Sequence, residues 1–271
     1  MRDAAPVSGL HSRSWGSGPA PVLALHCGLG QGGMWKAVAE TLAADCTLTA
    51  PDLPGHGRSP GFPGGADVHD AACAALRPFL DSGIHLAGHS FGATLALRLA
   101  LEHPGQVASL LLIEPVFFAA APDSPLKRDH QAAEAAIYSE CDAGNLPLAA
   151  RLFHELWGGG LPWDGFPERI QAGMARQLPF VRATESALWH DRAGMLVPGG
   201  LERLDIPVTL LRGAQTLPIV AEVHRGLMSR LPQVRETVVG GAGHMVLTSQ
   251  PGPVAEALRQ QIAEAQGQSR A

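Results

Sequence analysis

A serine between two glycines, Gly88-His89-Ser90-Phe91-Gly92, stands where a short apolar run at 84–87 gives way to a segment of helical period. A G-x-S-x-G turn in that context bends the chain sharply from strand to helix. It holds the serine hydroxyl clear of the sheet, at a helix N-terminus. Such a hydroxyl is a weak nucleophile at neutral pH until a base takes its proton. Gly241-Ala242-Gly243-His244-Met245 offers that base: it follows the last apolar run, at 234–239, and so falls at the carboxyl edge of an open α/β sheet, where active sites gather. A further glycine-rich loop, His26-Cys27-Gly28-Leu29-Gly30, ends the run at 21–26. It can turn a backbone N–H toward an oxyanion, with Gly28 as the donor beside the N–H of Phe91. Together these groups suit acyl transfer, with Ser90 as nucleophile and His244 as base and then acid. Cys27 has no activating neighbour in sequence and reads as a buried, inert thiol.

These loops must share one edge of one sheet, and the apolar pattern supplies it. Runs at 21–26, 46–50, 84–87, 107–113, 206–211 and 234–239 end in turn residues. Most are continuously apolar, as parallel strands covered on both faces are. Helix-period segments at 35–44, 68–80, 91–103, 219–231 and 253–265 separate them. The predicted fold is therefore α/β, a doubly wound, mostly parallel sheet. Residues 7–15 are expected to add an antiparallel edge strand. Residues 116–203 break the rhythm, with helix-period segments at 127–142, 148–157, 167–178 and 181–191 and a concentration of aromatic residues. The expected organisation is a core of 1–115 and 204–271 with a helical cap insertion at 116–203. Phe153, Trp157, Trp163, Phe166, Phe180 and Trp189 should mostly form the cap's own packing core. One or two of them should line an apolar acyl or ring pocket.

The chain thus resembles the α/β-hydrolase superfamily over nearly its whole length. The resemblance rests on the loop at His26, on Asp52-Leu53-Pro54-Gly55-His56-Gly57-Arg58-Ser59, on the Ser90 turn, on the cap and on Gly243-His244. It departs from the family pattern at Cys27, where a glycine is usual. It departs again at 211–218, where the family commonly carries the acid that orients the histidine. Here that segment reads Leu-Arg-Gly-Ala-Gln-Thr-Leu-Pro, and neither Gln215 nor Thr216 can offset the charge of an imidazolium. Asp81 and Asp205 precede their strands and lie at the wrong edge, and Asp52 comes before the serine. Glu114 ends the strand that follows the Ser90 helix, a place some members of the superfamily use. It keeps the order Ser, acid, His, so Glu114 is the expected third member. The resemblance implies a serine hydrolase of small, largely apolar carboxylic esters that works through an acyl-enzyme. Carbon–carbon or thioester cleavage on the same machinery, and a non-catalytic binding protein of the same fold, are the alternatives.

One rival motif is present. Gly28-Leu29-Gly30-Gln31-Gly32-Gly33 matches G-x-G-x-x-G, with Asp52 placed where a dinucleotide fold wants an acid. That reading leaves Ser90 and His244 unexplained, so no cofactor is expected. His154-Glu155 lacks the second histidine of H-E-x-x-H, and no metal is expected either. Lys and Arg total 20 against 25 Asp and Glu, a net charge of −5, which gives no general attraction to nucleic acid or anionic lipid. The longest apolar stretch, 107–121, is interrupted by Ser109, Glu114 and Pro115 and falls short of the roughly 20 residues a bilayer span needs. The four cysteines form no paired motif, and no apolar signal segment follows Arg2 and Asp3. The expected partner is a small-molecule substrate, with no nucleic acid and no membrane, acted on by a cytoplasmic monomer or homodimer.

Overall fold

A computed structural model describes residues 2–3, 9–62, 66–158 and 162–268. Its centre is an eight-stranded sheet. Strands β1 (Arg2–Asp3) and β2 (Ser12–Trp15) are antiparallel at one edge. Strands β3 (Ala20–Leu25), β4 (Cys46–Pro51), β5 (Ile84–His89), β6 (Val107–Ile113), β7 (Val208–Gly213) and β8 (Val234–Val239) run parallel. The order across the sheet is β1-β2-β4-β3-β5-β6-β7-β8. Part of the edge strand expected at 7–15 is thus present as β2, while residues 7 and 8 lie outside the described residues.

Alternation along the strands divides the core. Leu23, Leu25, Leu86, Leu110, Leu112 and Leu210 face one side, packed with helices α2 (Val68–Leu76), α3 (Phe91–Glu102) and α8 (Pro218–Met228). Val22, Ala24, Ala87, Leu111, Ile113 and Leu211 face the other, with α1 (Lys36–Thr41) and α9 (Pro251–Gln268). Both faces of the inner strands are covered, which is why β3 and β6 are almost continuously apolar, whereas the edge strand β8 carries Arg235, Glu236 and Thr237.

Among the described residues, four α-helices stand between β6 and β7: α4 (Pro125–Asp142), α5 (Leu146–Trp157), α6 (Glu168–Ala183) and α7 (Glu185–Leu188). Ser124 starts α4, its hydroxyl accepting the Lys127 N–H at 3.1 Å, with Pro125 at the first turn where its missing N–H costs nothing. The cap keeps a small core of its own, made of Ile137, Ala149, Ala150, Ala175 and Leu178. The sequence pattern expects two helices at 167–178 and 181–191, but α6 runs on through Pro179 to Ala183. Proline removes one backbone hydrogen bond there. Phe180, just beyond it, packs on Phe62, Phe91 and His56, and that burial offsets the loss.

Chain order and sheet order part company at β3. The chain passes from β3 to β4 on one side, and β5 then pairs on the other. Loops leaving β3 and β5 diverge at such a switch point and open a crevice at the carboxyl edge. The pairings Leu25↔Gly88, His89↔Ile113 and Ile113↔Leu211 bring the ends of β3, β5, β6 and β7 level there.

The glycine-rich loop after β3 is tied down by Asp52, whose side chain is fully buried. One carboxylate oxygen accepts the Gly32 N–H at 2.8 Å and Arg13 at 2.9 Å. The other accepts the Arg58 N–H at 2.9 Å and faces His11 Nδ1 at 3.0 Å. Burial alone pushes this carboxyl up, but the Arg58 and Gly32 amides and the Arg13 guanidinium outweigh it and hold it below its ordinary value. The acid a dinucleotide fold would aim at a ribose is here used up inside the protein. Asp52→Ala leaves the part-buried Arg13 guanidinium and two backbone amides without their acceptor. It should cost about 3 kcal/mol of stability, the low end for breaking a buried ion pair, because only the carboxylate is fully buried. Urea unfolding measures this, and an unchanged midpoint contradicts it.

Candidate active site

Ser90 links β5 to α3 with φ 57° and ψ −118°, a backbone conformation that non-glycine residues rarely adopt. The turn is possible only because its neighbours are small. A Cβ on Gly88 would run into the carbonyl of Gly92, and one on Gly92 into the carbonyls of Leu25 and His26. Of the four described non-glycine residues with positive φ, three are Leu29, Ser90 and Glu114. Strain is thus concentrated at the edge where the loops meet, which marks a functional region.

Ser90 Oγ lies 3.0 Å from His244 Nε2, and His244 Nδ1 lies 3.1 Å from Glu114 Oε2. An ionised carboxylate only accepts, so the imidazole proton sits on Nδ1 and Nε2 is free to accept from the serine. Glu114 is fully buried. Its Oε1 accepts the Gly213 N–H at 2.6 Å and its Oε2 the Thr216 hydroxyl at 2.5 Å. Burial pushes the Glu114 carboxyl up, but the hydrogen bond and charge of His244, then Thr216 and Gly213, outweigh it and hold the acid below its ordinary value. From the sequence, Thr216 is expected at most to accept a hydrogen bond from the histidine. The hydroxyl instead donates to the glutamate. His89 donates from Nε2 to the His244 carbonyl at 2.8 Å and steadies that loop.

The loop after β3 is held by two further histidines. His26 donates from Nδ1 to the Cys27 carbonyl at 2.7 Å and accepts the Leu53 N–H at Nε2, 2.8 Å away. His56 donates to the Pro54 carbonyl at 2.9 Å and accepts the Leu29 N–H at 3.2 Å. The Gly30 N–H goes to the Cys27 carbonyl at 3.2 Å. Among the described residues this leaves the Gly28 N–H without a partner in the loop. The Phe91 N–H opens α3 and has none within its helix. The Cys27 thiol is buried and pushed up to about 12 by that burial, so it is no nucleophile at neutral pH.

Ser90, Phe91, Gly28 and His244 border one cavity of about 310 Å³ between sheet and cap, and Glu114 lies behind the histidine. Of the six cap aromatics singled out from the sequence, Phe153, Trp157, Phe166 and Phe180 line it, four where one or two are expected, and Phe118 and Tyr138 line it as well. Trp163 packs on His154, and Trp189 on Phe118. His85, beside the serine turn in sequence, is bonded to the Ser109 hydroxyl at 2.7 Å and is part of the packing.

These buried imidazoles carry a pH consequence. Burial, then neighbouring His56, lowers His26 to about 3. Burial lowers His85 to about 4; burial and then Arg98 do so for His69, burial and then His244 for His89. The folded protein keeps these rings neutral, whereas the unfolded chain takes up protons below about pH 6.5. Their contribution is present in full above that value and is lost as pH falls toward 4. Going from about pH 7 to about pH 5 should cost about 2 kcal/mol for each such histidine. A urea midpoint independent of pH over this range contradicts it.

Comparison with known proteins agrees with the fold. Residues 22–257 match the alpha/beta hydrolase family. Lipase LipV of Mycobacterium tuberculosis is 31% identical, over 93% of this chain and 97% of its own. The human (lyso)-N-acylphosphatidylethanolamine lipase is 29% identical, over 85% of this chain and 75% of its own. Among solved structures, a thermophilic esterase from Thermogutta terrifontis superposes with a TM-score of 0.68 at 24% identity, over 94% of this chain and 93% of that one. With a parallel sheet crossed at β3, a strained serine turn, a helical cap and a match spanning residues 22–257, the chain belongs to the α/β-hydrolase family.

Proposed function

We propose that the protein is a serine hydrolase of small, largely apolar carboxylic esters. One observation carries this reading: Ser90, His244 and Glu114 form an unbroken hydrogen-bonded chain whose serine end opens into an apolar cavity. Ser90 Oγ attacks the carbonyl carbon as its proton passes to His244 Nε2, and Glu114 stabilises the imidazolium so formed. The amides of Phe91 and Gly28 receive the oxyanion. The carbon–oxygen bond then breaks, His244 returns its proton to the alcohol, and an acyl-enzyme remains. Water, deprotonated by His244, attacks that acyl group; the bond to Ser90 Oγ breaks, His244 returns the proton to Oγ, and the acid leaves. A serine nucleophile does not suit the dehalogenase and epoxide hydrolase chemistry of this family, which uses aspartate. Lipase LipV supports an ester as substrate by similarity. At about 310 Å³ the cavity lies near the lower end of the range for ligand sites, which favours small esters.

The test is a panel of 4-nitrophenyl esters from acetate to palmitate, with wild type and Ser90→Ala. Hydrolysis is expected to peak at short or intermediate chains, fall for palmitate and vanish in the variant. A wild type inactive across the panel, or an equally active Ser90→Ala, overturns the reading. Among the described residues no helix is long and apolar enough to cross a membrane.

A further inference from the structure

The cap carries one ionised group at the cavity that no step of acyl transfer uses. Glu134, on α4, is 5% exposed and borders the cavity. Its Oε2 accepts the Tyr138 hydroxyl at 2.6 Å and the Trp189 Nε1–H at 2.8 Å. Its Oε1 accepts the Trp157 Nε1–H at 3.2 Å and has His130 Nε2 3.7 Å away. Burial pushes this carboxyl up, yet His130, Tyr138 and Trp189 outweigh it and hold it below the ordinary glutamate value. A buried carboxylate so nearly saturated is not a ligand site. It is an anchor, because each donor that leaves it exposes a desolvated charge.

Trp157 is the partner with a consequence for substrate. Its ring lies 4.6 Å from the His244 ring, inclined at 53°, and forms part of the cavity wall. During acyl transfer His244 hands its proton to the leaving alcohol, so that oxygen must come to Nε2, the atom 3.0 Å from Ser90 Oγ. A ring packed against this imidazole therefore borders the alcohol half of the ester. The oxyanion donors have a different neighbour: Phe180, whose ring lies 5.1 Å from that of Phe91 and which also packs beside Gly28.

We propose that Trp157 sets the size of the alcohol that can leave, and that Glu134 is the positioning residue that holds its indole in place. The proposal rests on the ester-hydrolase reading above. Tyr138 and Trp189, tied to the same carboxylate, keep it from turning. His130 packs edge-on against Trp157 at 5.4 Å and closes the back of the ring. Without the Nε1–H···Oε1 bond the indole can swing, and the alcohol side of the cavity loses its fixed wall.

The experiment uses two ester series on the 271-residue chain. One keeps the butyryl group and varies the alcohol from methanol to 2-naphthol. The other keeps 4-nitrophenol and varies the acyl chain. In Trp157→Ala the ratio of kcat/KM for naphthyl over methyl butyrate should rise about tenfold or more, a change of the size removal of a pocket contact gives. Glu134→Gln should move the same ratio in the same direction by about threefold, chiefly through KM, by loosening that contact. The acyl-chain profile should stay the same for both variants. Should Glu134→Gln fail to fold, Trp157→Phe removes the same hydrogen bond from the other side and should reproduce its ratio. An unchanged alcohol ratio in folded, active variants overturns the proposal, and so does a shift in the acyl series instead. Wild type that hydrolyses no ester overturns the reading beneath it, which separates the two failures.

Discussion

Glu114→Gln should lower kcat by about four orders of magnitude while leaving the protein folded. The carboxylate does work on both its oxygens. Oε1 takes the Gly213 N–H, and Oε2 takes both the Thr216 hydroxyl and the Nδ1–H of His244. A glutamine has one accepting oxygen. Turned toward Gly213, it presents its NH2 group to His244 Nδ1. That traps the tautomer with the proton on Nε2, which cannot accept from Ser90. Turned the other way, it sets an amide NH2 against the buried Gly213 N–H and lacks the negative charge that stabilises an imidazolium. The first orientation removes general-base catalysis, and the second weakens it by taking away the charge that stabilises the imidazolium. Thr216→Asp in the Glu114→Gln background should restore part of the rate, because the hydroxyl at 216 already lies 2.5 Å from Glu114 Oε2. Steady-state kinetics with a matched thermal melt measure both effects. Full activity in Glu114→Gln rules out the acid role.

A larger loss is expected at Ser90, the proposed nucleophile. Ser90→Ala should lower kcat by about 10⁶, with a residual of about 10³–10⁴ over water from the oxyanion donors and substrate binding. The amides of Phe91 and Gly28 are unaffected by the substitution, so KM should change much less than kcat. Alanine carries the same Cβ into the strained turn, so stability should hardly move. A variant that keeps more than about a hundredth of wild-type turnover shows that the serine is not the attacking group.

Much of this architecture is legible in the chain. The strand at 107–113 lies where the apolar run puts it, because a strand buried on both faces tolerates few polar residues; the edge strand at 234–239 also lies where expected, but carries Arg235, Glu236 and Thr237 and is only partly buried. The serine turn is legible because close approach of the Gly92 carbonyl restricts position 88 to glycine. Glu114 is reachable by elimination, since topology leaves few carboxylates at the carboxyl edge. What supports it is not legible. Thr216 and Gly213 are about a hundred positions away in sequence, and nothing in a threonine's identity says which acceptor it will meet. The same holds for His56, which ties down Leu29, and for Glu134. An i, i+4 pair of Glu134 and Tyr138 on a helix is ordinary, and only tertiary packing brings two indoles onto that carboxylate. Pro179 shows the reverse case. Local propensity ends the helix there, and packing of Phe180 on Phe62, Phe91 and His56 carries it on.

The central claim is that Ser90 is an activated nucleophile beside an oxyanion hole. Its most direct test is reaction with an alkyl fluorophosphonate followed by intact-mass and peptide analysis. Phosphorus chemistry mimics the acyl transfer step: Ser90 Oγ displaces fluoride, and the phosphonyl oxygen takes the place of the oxyanion. One adduct per chain is expected, located on Ser90, forming rapidly in wild type, far more slowly in Glu114→Gln and not at all in Ser90→Ala. No adduct in folded wild-type protein, or an adduct at another residue with Ser90 unmodified, contradicts the account.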